Sequence, residues 1–331
     1  LIAYIVVAGY YFELGENWWA IGIPLSLILG ALSFKFIESK TLSDFGIEKA
    51  KYLLRPLPFA TISAALGLLI FNTNGMTFRL PVGEQLLVKS AIEATDDWNY
   101  PEPNLEIDSL EIRFIKGKTD SNILIMGASH IEQIYPYVEN LNSPYNIYFL
   151  TKSGCFVTPS MKHPKWSCQN LQSYEKLIKT VTFDKVLTSF YNFNSYLPID
   201  QLERSKATLQ RIDEYDSFLK LIKSKVSKIY LMLGEPRGDE FSPILSMRKG
   251  LPDYITKETA KNEYLEEMAA FNKLSELDSI EIIDPIEKLC EANICKTRNQ
   301  EIGFFYRDDD HMRTHYAIEK LKYLDHIFNH H

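Results

Sequence analysis

The stretch Asn122–Gln133, NILIMGASHIEQ, decides the fold. Ile123 to Met126 is apolar without alternation, as expected of a strand in a parallel sheet covered by helices on both faces. Gly127 permits a tight turn out of that strand, and the chain then enters a helix at once, which puts Ser129 and His130 near the helix start. Outward from this block the pattern repeats. NIYFLT (146–151), KVLTSF (185–190), KIYLML (228–233) and IEIID (280–284) read as strands. Helical stretches are expected at about His130 to Asn140, Leu171 to Thr180, Ile199 to Lys225, Thr259 to Leu277 and Thr314 to Phe328. Strands alternating with helices predict a three-layer α/β domain with a parallel sheet over 121–331.

The first 75 residues have another character. Trp18 to Phe34 is uncharged for 17 residues, carries a Trp pair at one end and is followed by Lys35, Glu38 and Lys40. Leu57 to Phe71 is a second uncharged run of 15 residues. Both read as bilayer helices, the second slightly short for a hydrocarbon core of about 30 Å but workable if Arg55 snorkels. A buried core helix or hairpin is the other reading of each; two such runs and a third, Leu1 to Tyr11, are hard to place in a small globule. The segment between them carries Lys35, Lys40, Lys49, Lys51 and Arg55, whereas only Glu13 and Glu16 precede Trp18. The positive-inside rule therefore puts the connector in the cytoplasm and everything after Phe71 outside it. The chain opens on Leu1 with no basic segment before its apolar stretch, so it is expected to be a fragment or a processed piece. Residues 76–120 are expected to link the membrane part, 1–75, to the domain and to pack on its surface through residues such as Trp98 and Tyr100.

Composition excludes one class of partner. Lys plus Arg number 36 against 43 Asp plus Glu, a net charge of −7, and no basic cluster supplies a footprint for a nucleic-acid backbone. The four cysteines, Cys155, Cys168, Cys290 and Cys295, all lie on the side expected to be oxidising. Short separation favours closure of Cys155 with Cys168 and of Cys290 with Cys295. Zinc is the rival use, but no His stands at finger spacing from either pair, and no metal site is expected.

Ligands of open α/β sheets sit beyond the carboxyl ends of the strands, and three such places carry chemistry. Ser129 would present its hydroxyl and backbone N–H at a helix start, as nucleophile and part of an oxyanion site, or else serve as an ordinary N-cap. Near the C-terminus, FFYRDDDHMRTHYA places Asp308 three residues before His311, so a carboxylate can orient an imidazole that takes the serine proton. The alternative is an acidic solvated turn in which Asp309 or Asp310 caps the last helix. His130 and His315 are further candidates for the base. Gly154 and Asn192 are candidate oxyanion donors, with Asn194 competing with Asn192 and a structural turn role open to each.

NILIMGASHIEQ, KSGC, Cys168, IEIIDPIEKLC and FFYRDDDHMRTHYA together resemble the SGNH-hydrolase domain fused to the C-terminus of membrane-bound acyltransferase-3 proteins, over about Asn122 to His326. The family's Gly-Asp-Ser-His block is matched by Gly127, Ala128, Ser129 and His130, with Ala128 in place of the usual Asp. Its Tyr-x-Asp-x-x-His block is matched by Tyr306, Asp308 and His311, which selects Asp308 over its neighbours. Ser33, Phe34, Ile37 and Glu38 stand where that family's last bundle helix ends. The family's Asn block is not cleanly identifiable in SFYNFNSYL. The resemblance implies an O-acyltransferase of the bacterial inner membrane, multi-pass, with its C-terminal domain in the periplasm. It would acylate an envelope glycan through Ser129, with His311 as base and Asp308 as orienter. The soluble domain is expected to bind no cofactor; acetyl-CoA is the implied donor, at an N-terminal acyltransferase-3 bundle of which residues 1–75 are expected to be only the C-terminal helices, the rest missing from this chain. Membrane lipid and the glycan acceptor are the other implied partners. A carbohydrate esterase using the same residues and a non-catalytic glycan-binding domain are the alternatives.

Overall fold

The computed structural model describes residues 23–24, 27–28, 30–32, 35, 56–73, 76–155, 157–161, 163, 165, 167–168, 171–191, 193–274 and 280–329. The chain divides into two compact units, Leu1–Gln85 and Leu86–His331. In the first, Pro56–Asn72 forms a helix of 17 residues, and every residue from Thr61 to Phe71 is exposed. Among the described residues no helix is long and apolar enough to cross a membrane; at 1.5 Å per residue Pro56–Asn72 rises about 26 Å against a core of about 30 Å. Most of the other expected span, Trp18 to Phe34, lies outside the described residues.

The second unit is built on a seven-stranded sheet. Its strands are β1 (Leu105–Ile107), β2 (Leu110–Ile115), β3 (Asn122–Gly127), β4 (Asn146–Thr151), β5 (Lys185–Ser189), β6 (Lys228–Met232) and β8 (Ile280–Ile283), in the order β1-β2-β4-β3-β5-β6-β8. β4, β3, β5, β6 and β8 run parallel, and the β1–β2 hairpin adds an antiparallel edge beyond β4. β7 (Tyr254–Thr256) pairs β9 (Ile294–Lys296), and β10 (Arg298–Asn299) pairs β11 (Gly303–Phe304), in two small separate sheets. From β3 the chain crosses first to β4 on one side and then to β5 on the other, so β3 lies at the switch point where such sheets open a crevice.

Helices cover both faces, which is why the strands read as unbroken apolar runs. Ile123 and Ile125 enter one core with Phe149, Leu187 and Met232, under Tyr135, Leu324 and Phe328. Leu124 and Met126 enter the opposite core with Leu150, Val186 and Leu231, under Tyr174, Tyr215 and Phe218. The long helix Gln201–Lys223 is capped by Asp200, whose carboxylate accepts the N–H groups of Leu202 and Glu203.

The strands fall where the apolar runs place them, but three of the expected helices are broken. His130 to Asn140 forms Ser129–Glu132 and Tyr135–Asn140, with Pro136 in the first turn of the second, where its lack of an N–H costs nothing. Thr259 to Leu277 is replaced by Lys257–Asn262 and Leu265–Leu274. The last expected helix is Thr314–Lys320, a 3-10 turn Leu321–Leu324 and Asp325–Phe328. The expected linking region contributes more than a surface wrap. It supplies the helix Val82–Ala94 and both strands of the edge hairpin, whose two-residue turn holds Asp108 and Ser109 at φ 51 and 68.

Candidate functional site

The turn after β3 is set by its backbone. Gly127 has φ +143, and a Cβ there would lie 3.2 Å from Ile131 Cγ2 and 3.3 Å from Ser189 Cβ. Ala128 is extended and buried, and its carbonyl accepts the N–H groups of Ile131 and Glu132. Ser129 therefore opens the helix Ser129–Glu132, where first-turn N–H groups have no partner within the helix. The residue is 8% exposed and stands beside the carboxyl end of β3.

The loop Arg307–Arg313 brings the other half. It is closed by Arg307 N–H on the His311 carbonyl at 2.8 Å and by the bridge between Tyr306 and Met312. Asp308 Oδ1 accepts the backbone N–H groups of Asp310 at 3.2 Å and His311 at 2.7 Å, the local turn that a short carboxylate side chain favours. From the helix side, Gln133 Oε1 accepts the Met312 N–H at 2.7 Å. His311 Nε2 then stands 2.8 Å from Ser129 Oγ. Its Nδ1 stands 3.0 and 3.1 Å from the two oxygens of Asp308. Ser129, His311 and Asp308, separated by up to 182 positions in the chain, are thus in one line of hydrogen bonds.

Asp310 is also at the imidazole. Its Oδ1 lies 2.7 Å from His311 Nδ1 and its Oδ2 lies 3.3 Å from His130 Nε2; the contact with His311 is an ion-pair approach, while the aligned hydrogen bonds of Nδ1 are to Asp308. Tyr191 O–H donates to Asp310 Oδ2 at 2.9 Å. Burial works against a charged ring in His311, but hydrogen bonding and charge from Asp308 and Asp310 outweigh it, and its pKa is pushed up to about 10. Asp310 shows the reverse: burial favours its neutral form, yet His130 and His311 hold it far below the usual carboxylate range. Burial and the neighbouring Asp310 push Asp309 up.

His130 is no base for Ser129 in this arrangement. Its Nδ1 stands 3.2 Å from buried Glu235 and its Nε2 faces Asp310. The ring stacks on Tyr191 at 3.2 Å and on His311 at 4.5 Å between centroids. His315 turns its Nδ1 toward Asp97, 3.8 Å away. Gly154, at φ +71 in the turn after β4, lies close to the imidazole of His163, which a Cβ would approach to 3.1 Å; β4 meets the β3 turn through the Lys152 N–H on the Gly127 carbonyl. Asn192 lies outside the described residues, and the side-chain oxygen of Asn194 is buried without a partner among the described residues. Both disulfides join the paired cysteines, Cys155 with Cys168 and Cys290 with Cys295.

Several site residues carried no local signal in the sequence. Trp98, from the linking region, sets its ring edge against His311 at 5.4 Å, with the Arg307 guanidinium 5.1 Å over it. Arg313, buried two residues after His311, donates to Asp97 at 2.7 Å and to Ser90 Oγ at 2.7 Å. Glu235 follows β6, a position the strand-end rule does mark. Among the described residues two groups have donor atoms within 4.8 Å of one another, as a cation would need: His130, Asp310 and His311, and Asp308, Asp309 and Asp310. In the first, both imidazole nitrogens already face the Asp310 carboxylate.

Residues 97–319 match the family model for the SGNH domain fused to AT3 domains. No curated protein matches the chain. Among solved structures, the periplasmic domain of a lipopolysaccharide acetyltransferase from Salmonella ser. Paratyphi A is 20% identical, with 63% of this chain and 84% of that one covered and a TM-score of 0.45. An acetylxylan esterase from Geobacillus stearothermophilus is 15% identical, covering 64% and 96% of the two chains at a TM-score of 0.27.

Proposed function

The chain belongs to the family of SGNH domains fused to AT3 domains, and from that premise we propose that it moves an acyl group, acetyl by family likeness, onto a hydroxyl of a bacterial cell-envelope glycan. The observation that carries this reading is the 2.8 Å approach of Ser129 Oγ to His311 Nε2, with Asp308 on the other ring nitrogen. A serine hydroxyl barely ionises at neutral pH, so it attacks a carbonyl only if a neighbouring base takes its proton as the bond forms. Asp308 fixes the ring with hydrogen on Nδ1, so Nε2 accepts the serine proton once the ring has given up the proton that Asp308 and Asp310 help it hold.

Ser129 Oγ attacks the carbonyl carbon of the acyl donor while His311 Nε2 takes the hydroxyl proton. The tetrahedral intermediate collapses as that proton passes to the leaving group, and Ser129 is left as an ester. A glycan hydroxyl then attacks the ester carbonyl, gives its proton to His311, and Ser129 recovers it on departure. The Ser129 N–H stabilises the oxyanion, with Gly154 and Asn192 as the proposed further donors. Water in place of the sugar gives an esterase, so transfer requires the sugar to be positioned while water is disfavoured. In the full protein the donor is acetyl-CoA, handled by an N-terminal acyltransferase-3 bundle, with Trp18 to Phe34 and Leu57 to Phe71 as the last spans of a multi-pass inner-membrane protein and the α/β unit in the periplasm.

The test compares envelope glycan by mass spectrometry in cells making the full-length parent or Ser129→Ala, in a strain without a redundant enzyme. Acylation falls by at least about 10³-fold in the variant, in line with loss of a nucleophile. Unchanged acylation removes the mechanism, and net acetate release from acetylated glycan without transfer replaces it with ester hydrolysis.

A further inference from the structure

Two carboxylates face one imidazole nitrogen, and their surroundings differ. Asp308 lies along the N–H direction of His311 and spends its Oδ1 on the backbone of its own turn. Asp310 reaches the same nitrogen at 2.7 Å without aligned geometry, and is built in from elsewhere. Tyr191, just after β5, donates to it, and Arg237 in turn donates to the Tyr191 hydroxyl at 3.1 Å. His130 faces it from the nucleophile's helix, and is itself held by Glu235, which also accepts from Gln133 at 2.8 Å. The His130 ring lies between Tyr191 and His311 in one stack.

We propose that the two carboxylates share the work on His311 unequally: Asp308 both aims the ring and helps it hold a proton, whereas Asp310, a positioning residue anchored by Tyr191 and His130, adds to the hold on the proton without aiming the ring. This deepens the acyl-transfer reading and rests on it only for the assay by turnover. The groups facing His311 are Asp308, Asp309, Asp310 and Arg307 on its own loop, Ser129, His130 and Glu132 on the nucleophile's helix, and Trp98 from the linking region. Asp310 is the one among them that contacts both imidazoles. An anion that close favours the protonated ring, so its removal frees His311 to act as base at lower pH.

The experiment follows hydrolysis of p-nitrophenyl acetate by the chain in detergent between about pH 6 and 11, with the Ser129→Ala rate subtracted at each pH. In the parent the Ser129-dependent rate rises toward about pH 10 as His311 gives up its proton. Asp310→Asn moves that midpoint down by about one to two pH units, with the alkaline plateau falling less than about tenfold. Asp308→Asn lowers the plateau by about 10²- to 10⁴-fold, as expected when the ring loses its orienting partner. The same midpoints are read without turnover from histidine carbon-13 NMR titration in the Ser129→Ala background. Asp310→Ser, which keeps a hydroxyl beside Tyr191, replaces Asp310→Asn if that variant melts at the assay temperature. An unmoved midpoint in the Asp310 variants, or an Asp308→Asn plateau no lower than theirs, overturns the division. Activity that survives Ser129→Ala overturns the acyl-enzyme instead, and leaves the NMR comparison standing.

Discussion

The turn Gly127–His130 and the loop Arg307–Arg313 meet at one hydrogen bond, yet they are held in opposite ways. The first is held by the main chain: a glycine in a region closed to other residues, a buried Ala128, and a strand with parallel neighbours on both sides. The second is closed by main-chain bonds at its ends but shaped between them by side chains, with Asp308 and Gln133 accepting three of its N–H groups and Arg313 tying its end to Ser90 and Asp97. The nucleophile is therefore placed by the fold, and the base by a charge network laid over it. Substitutions should act on stability in the first, and in the second on rate at the carboxylates and on pH-dependent stability where Arg313 anchors its end.

The largest effect expected from this contrast is in Gly127→Ala. A Cβ at φ +143 is strained and meets Ile131 and Ser189, so denaturant titration should show a loss of about 2–3 kcal/mol. Asp308→Asn keeps the shape of its side chain and one acceptor oxygen, and should change stability by less than about 1 kcal/mol while lowering the rate as above. Equal destabilisation by the two would erase the distinction between the loops.

A smaller effect, and one with a sign in pH, is expected at the end of the second loop. Burial would raise the Asp97 pKa, but the nearby His315 and the hydrogen bonds from Thr314 and Arg313 win and hold it well below the usual carboxylate range. A depressed carboxylate stabilises the fold above its unfolded value near 4, and that contribution disappears as pH falls through the folded one. Arg313→Met removes the donor at 2.7 Å and leaves Asp97 half-buried, for a loss of about 2 kcal/mol at neutral pH. Thermal melts from about pH 5 downward should fall less steeply in the variant than in the parent. Parallel curves would mean that Arg313 holds the loop by packing alone.

The same contrast explains what could be read from the chain. Ile123 to Met126 and its parallel partners announce themselves as apolar runs, and Gly127 marks its own turn, because sheet burial and backbone sterics act through local residue type. The cysteine pairs follow from separation alone. Asp308 was separable from its neighbours by family spacing, whereas the approach of Asp310 depends on Tyr191 and His130, brought in by β5 and by the β3 turn. Trp98 and Arg313 meet across more than two hundred residues of sequence from their partners, and no local pattern encodes that. Pro136 breaks a helix that hydrophobic spacing alone runs through. The β1–β2 edge is legible as well, since Leu110 to Phe114 alternates apolar and polar residues as a half-buried strand does, a period the expectation of a surface wrap passes over.

That hairpin also gives the mildest test of what a backbone-set turn demands. Asp108 and Ser109 both sit at positive φ, the two-residue geometry for which Asn-Gly and Asp-Gly are the favoured pairs. Asp108 has a second reason to stay, since its carboxylate accepts from Thr180 and its carbonyl from Lys176 on the neighbouring helix. Ser109 makes no such contact among the described hydrogen bonds. Ser109→Gly should relieve the strain at φ 68 and raise stability by about 0.5 kcal/mol, the left-handed cost less the added freedom of the unfolded chain. Ser129-dependent turnover should be untouched, because the turn belongs to the sheet edge and not to the charge network around His311. A drop in stability would show that the hairpin is fixed by its strands, with the turn merely following.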